Sequence, residues 1–190
     1  MKNLLPLFTF FLLSAASFSH INAQTVSFAL KTTPNVNFDF NTIEKYQKGI
    51  IIPSFLTLRV ESPGAEWDLY VGTTTTTNGF FDVNNAYGSS GNSSIPVNIL
   101  QARVYNTANT TQTGTSFFNL SDISSPNYII GSSGNDPAAP CGVTGANAAG
   151  SYNTQPQCYT FKVDLKATPG LNYRAGSYSL RVDFILMQDL

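Results

Sequence analysis

Residues 175–190 read AGSYSLRVDFILMQDL. Tyr178, Leu180, Val182, Phe184 and Leu186 fall on every second position, the spacing that puts one side of an extended chain against a core. A strand this regular either closes its own sheet or offers an edge to something else. Five apolar side chains in strict alternation predict that it fills the protein's own core and is paired on both sides, with an open edge as the alternative.

The same period of two runs through the rest of the chain. VSFAL places Val26, Phe28 and Leu30 on one face, and VNFDF repeats this with Val36, Phe38 and Phe40. SFLTLRVES turns Leu56, Leu58 and Val60 inward and Thr57, Arg59 and Glu61 outward. EWDLYVG does so with Trp67, Leu69 and Val71, and CYTFKVDLK with Tyr159, Phe161, Val163 and Leu165 against Thr160, Lys162, Asp164 and Lys166. SFFNL is a short run with Phe118 and Leu120 in phase. In SIPVNILQARVYN the phase slips between Ile99 and Leu100, which predicts a β-bulge.

Turn-forming stretches separate these runs: SPG at 62–64, TTTTTNG at 73–79, YGSSGNSS at 87–94, GSSGNDPAAP at 131–140 and ATPG at 167–170. Only NTIEKYQKG (41–49) fits a helical turn, with Gly49 as its stop. Strands with one apolar face each must bury it against another sheet. Seven or eight strands therefore predict an all-β, two-sheet antiparallel sandwich of the immunoglobulin-like type, with a closed barrel as the runner-up.

The first residues stand outside this pattern. MKNLLPLFTFFLLSAASFSHINAQ has one basic residue, Lys2, an apolar run from Leu4 to about Ala16, and Ala23 before Gln24. That is the layout of a secretory signal peptide. The run is shorter than the roughly 20 residues a membrane-spanning helix needs. Residues 1–23 are read as the signal peptide and 24–190 as one domain. No membrane span is expected after processing, and the location is extracellular, cell-surface or periplasmic.

Removing Lys2 from the ten basic residues leaves nine against eleven acidic ones, a net charge near −2. Charged residues are 11% of the chain, against about 25% in ordinary domains. With no basic cluster along the sequence, nucleic-acid binding lacks its electrostatic term. Both cysteines, Cys141 and Cys158, fall in the exported part, where a disulfide is the default. It would close the loop GVTGANAAGSYNTQPQ and contribute about 3 kcal/mol in the chain-entropy picture.

The only histidine, His20, lies in the signal peptide. The exported part then has no imidazole for Ser-His-Asp or Cys-His hydrolysis or for His-ligated metals. No GxxxxGK[ST] and no GxGxxG before a helix occurs, so neither phosphate-binding loop is present and no cofactor is expected. Glu66 and Asp68 flank Trp67 on one strand face, the single arrangement resembling a glycosidase carboxylate pair; solvated edge charges are the plainer reading. Asp82, Asn84 and Asp136 sit in Asn/Asp-rich turns but lack the spacing of a calcium loop, so no metal site is expected from them. Trp67 is in phase with core residues, whereas Tyr70 lies on the opposite face as a candidate for stacking on sugars. Sequons occur at Asn92, Asn109 and Asn119.

Trp67-Asp68-Leu69 forms a W-x-L triplet, and Phe184-Ile185-Leu186 stands where a second would fall, within AGSYSLRVDFIL. With the signal peptide, these segments resemble bacterial surface domains of the WxL and spore-coat or fimbrial-subunit kind, immunoglobulin-like sandwiches ending on an A-G-x-Y-x-x-x-x-x-F strand. The resemblance implies a structural or adhesive surface protein rather than an enzyme. Its partners would be further copies of itself, joined by strand addition, or a surface glycan. The alternative is a carbohydrate-binding module using the loop aromatics Tyr70, Phe80, Phe81 and Tyr87.

Overall fold

The computed structural model describes residues 26–32, 36–106, 108 and 112–189. The expected signal peptide (1–23) and the sequon at Asn109 lie outside them. In chain order the strands are β1 (Ser27–Thr32), β2 (Ile50–Ser62), β3 (Trp67–Thr74), β4 (Asp82–Ala86), β5 (Leu100–Tyr105) and β6 (Phe118–Asn119). They continue as β7 (Asn127–Ile130), β8 (Gly150–Ser151), β9 (Thr160–Ala167), β10 (Gly176–Ser179) and β11 (Arg181–Gln188). Two short helices, α1 (Ile43–Lys48) and α2 (Pro156–Tyr159), interrupt them.

One sheet has the order β1-β2-β9-β5-β6, with β8 pairing the end of β2; the second has the order β11-β3-β7. β10 and β4 form a separate two-stranded ribbon. Every ladder between these strands is antiparallel. The antiparallel sandwich expected from the alternation is therefore what forms. Among the described residues its strands number eleven rather than seven or eight: VNFDF forms none, the terminal run is divided into β10 and β11, and β4, β7 and β8 lie in stretches with no alternation to mark them.

The residues in phase are the ones that meet between the sheets. Leu58, Val60, Trp67, Leu69, Phe161 and Val163 are fully or almost fully buried in one cluster. Val71, Leu100, Ala102 and Leu165 form a second. Phe184 packs against both clusters, as do Phe55, Phe118 and Ile129. Each fully buried Leu, Val or Phe contributes about 1.5–3 kcal/mol, so these rows supply the main drive for folding. Trp67 lies at 0% exposure, with its ring 5.9 Å from Tyr159 and 6.1 Å from Phe161. Its indole N–H donates to Ala148 O at 3.1 Å, so the buried polar atom is satisfied.

The helical turn forms as α1: the Thr42 side chain accepts from Lys45 N at 3.3 Å, and Gly49 ends it at φ 79°. VNFDF is not a strand. Its burial still alternates and Val36, Phe38 and Phe40 pack on the second cluster, with the Phe38 and Phe40 rings 6.4 Å apart. Its side chains alternate as those of a strand do, but among the described residues the segment has no ladder partner. The slip at Ile99/Leu100 is not a bulge. A 3-10 turn over Val97–Ile99 precedes β5, so the phase restarts at Leu100.

The real irregularity of the large sheet lies in β2. Its register with β9 passes from Ile52↔Leu165 to Leu56↔Val163, four steps on one strand against two on the other. Ser54, in this excursion, has φ 47°, and its N–H donates to Asp164 Oδ1 at 2.8 Å. Asp164 points away from the core as expected, yet it is completely buried. It also accepts from Arg103, whose Nε lies at 3.0 Å, and from the Tyr105 hydroxyl at 3.3 Å. The Arg103 guanidinium lies over the Phe117 ring at 4.8 Å and the Tyr105 ring at 5.3 Å.

The Cys141–Cys158 disulfide forms as expected and ties the 131–149 segment to α2. Gln112 Nε2 donates to both Ala146 O (3.0 Å) and Cys158 O (2.8 Å), bracing the same region from within. No helix among the described residues is long and apolar enough to cross a membrane.

Replacing Asp164 by Ala leaves the Ser54 N–H and the Arg103 guanidinium without their acceptor. The expected loss is about 3 kcal/mol or more, read as a lower urea midpoint with an unchanged slope.

Candidate functional site

The terminal strand combines a filled face with an open edge. β11 pairs with β3 over eight successive positions, from Arg181↔Thr74 to Gln188↔Trp67. Val182, Phe184 and Leu186 turn into the sandwich and pack on its clusters. Arg181, Asp183, Ile185 and Met187 occupy the alternate positions, and Met187 is 38% exposed. Among the described residues no strand pairs the other side of β11. The expectation of pairing on both sides is thereby corrected. A strand can complete a core with its side chains while its backbone has only one neighbour, because the two directions are perpendicular. Arg181 and Asp183 form an ion pair at 2.8 Å, which leaves Phe184–Gln188 without a charge.

The four aromatic candidates do not form one patch. Phe80 and Phe81 line a cavity of about 440 Å³ together with Thr76, Thr77, Asp82 and Ser93. The backbone around it is pinned: Phe81 N donates to Ile95 O at 2.8 Å and Val97 N to Gly79 O at 3.0 Å. Phe80 is 39% exposed and offers its ring to solvent. Tyr87 is more exposed, at 58%, but lies outside this cavity. Tyr70 is on the outer face of β3, its ring tilted against Tyr128 at 5.2 Å.

The weak metal candidates are also dispersed. Asp82 Oδ1 accepts from Thr76 N at 2.8 Å and so serves its own loop. Asn84 Oδ1 accepts from the Ser179 hydroxyl at 3.1 Å, joining β4 to β10. Asp136 N donates to Asp189 Oδ2 at 3.2 Å. Among the described residues no group of three or more His, Cys, Asp or Glu converges to hold a metal ion. Both cysteines are consumed by the disulfide. The sequon residues Asn92 and Asn119 are exposed.

Asp68 differs from the solvated edge charge that the sequence suggests. It is 4% exposed, and its Oδ1 is buried without a hydrogen-bond partner among the described residues. Gly131 closes over it: a Cβ there would fall 1.7 Å from Asp68 Oδ1, so only glycine, at φ 75°, fits. Burial, then the negative charges of Asp189 and Asp136, push the Asp68 carboxyl up to about 6. Burial foremost, then Tyr70 and Asp68, also raises the Tyr128 phenol. Nothing in the sequence marks Asp68 as buried, because the loop that covers it begins more than sixty residues later.

The fold and these surfaces define an antiparallel all-β sandwich in which, among the described residues, β11 is paired on one side only, with a separate aromatic cavity. No protein-family model matches the chain, and no curated protein matches it.

Asp68 gives a pH signature. Because folding raises its pKa, the stability that protonation confers is complete below the ordinary value of 3.8 and is lost as pH rises through about 6. Thermal melts between about pH 4.5 and 7 should show this decline, and Asp68→Asn should flatten it.

Proposed function

We propose that the protein is an exported, non-enzymatic cell-surface subunit, structural or adhesive, of the fimbrial or WxL-like kind, and that it joins its neighbours by strand addition along β11. The observation that carries this reading is the pairing of β11 over eight residues on one side only, among the described residues. Main-chain N–H and C=O groups along such an edge supply affinity for an incoming strand. Solitary edges are normally blunted by lysine, proline or a bulge. β11 has neither lysine nor proline, its register with β3 is unbroken, and its only two charges neutralise each other at one end. The disulfide supports an oxidising location outside the cytosol.

The test is the assembly state of the mature protein by size-exclusion chromatography and electron microscopy. Wild type is expected to form oligomers or filaments. Met187→Lys, which sets a charge on the edge, is expected to shift it to monomer without lowering the melting temperature. A wild-type protein that remains monomeric at high concentration overturns the reading, as does turnover of a polysaccharide.

The Phe80 cavity favours a second reading, a carbohydrate-binding module in which an exposed ring stacks on a sugar and Thr76, Thr77 and Ser93 meet its hydroxyls. A glycan array should then return hits that Phe80→Ala abolishes.

A further inference from the structure

A second cavity, of about 520 Å³, lies on the outer face of the six-stranded sheet. We propose that it binds an acidic saccharide, with Arg59 and Lys162 holding the sugar carboxylate. This site is separate from β11 and from the Phe80 cavity, and it does not depend on the assembly reading.

The sheet register brings the two cations together. Arg59 on β2 pairs with Thr160 on β9, and Thr57 pairs with Lys162, so Arg59 and Lys162 are diagonal neighbours on one face. That face is opposite Leu58, Val60, Phe161 and Val163, which point into the core. Both side chains line the cavity, and no Asp or Glu does. Neither takes part in an ion pair among the described residues. Glu61, the next residue on the same face of β2, makes no ion pair with Arg59. In a chain with only ten basic residues and a net charge of −1, two unneutralised cations in one concavity form a local centre of the opposite sign.

The rest of the lining suits a sugar. Arg59 lies over the Tyr152 ring at 5.5 Å, which limits the guanidinium's freedom and presents its fork to a planar carboxylate. Asn153, Gln157 and Thr160 add amide and hydroxyl groups that can both donate and accept, as sugar hydroxyls require. The wall carrying them is fixed rather than loose. The buried Asn106 side chain donates to Gln157 O at 2.5 Å, and Cys158 anchors α2 through the disulfide.

The experiment is calorimetric titration of the mature protein with trigalacturonate, with maltotriose and sodium acetate as separate arms. Trigalacturonate is expected to bind, with affinity falling as salt rises, and to lose about tenfold or more in each of Arg59→Gln and Lys162→Gln. Both variants change polar surface groups, and their melting curves should match wild type. Maltotriose is expected not to bind, and acetate is expected not to displace the uronate. Absence of trigalacturonate binding, binding unaffected by both substitutions, or displacement by acetate at equal concentration each overturns the proposal.

Discussion

Asp164 sits in the middle of the six-stranded sheet, and both neighbouring strands depend on it. From β9 its carboxylate reaches Ser54 N–H in the excursion of β2 on one side, and Arg103 and the Tyr105 hydroxyl on β5 on the other. A buried carboxylate costs several kcal/mol in lost hydration and persists only where donors compensate it. Here the compensating donors come from two strands, so the group that is expensive to bury also fixes where β2 leaves and regains register. Register decides which side chains face the second sheet. The placement of Leu56, Leu58 and Val60 against Trp67 and Leu69 follows from it, and so does the diagonal meeting of Arg59 with Lys162.

What could be read from the chain was whatever depends on period. Alternation in β2, β3 and β9 names the inward residues correctly, Trp67 included, because side chains on extended backbone must point to opposite faces. In the last run it does so for Val182, Phe184 and Leu186, whereas Tyr178 lies in β10, paired with β4. The disulfide was legible from two cysteines and nothing else. Ladder partners were not legible. VNFDF carries the same alternation as a strand yet joins no ladder among the described residues, while the break before Leu100 is a turn rather than an inserted residue.

The candidate site was harder for the same reason. Phe80, Phe81 and Asp82 are adjacent in sequence and share a cavity, whereas Tyr70 and Tyr87 were grouped with them only by residue type and lie elsewhere. Asp68 was expected in solvent because its strand neighbours alone cannot reveal a covering loop anchored by Gly131. Arg59 and Lys162 belong to different strands, and only the register makes them neighbours. The open side of β11 is likewise a property of the whole sheet order, invisible in the strand itself.

The order in which the second sheet's strands occur along the chain has a temporal consequence. β3 is the central strand of that sheet, yet its eight-residue partner is β11, whose Gln188 pairs with Trp67. A ribosome delivers Trp67 long before Gln188, and contacts so distant in sequence close slowly. Throughout that interval the indole and its neighbours have no finished cavity to enter. This sheet therefore stays unfinished on the growing polypeptide until Gln188 has been made.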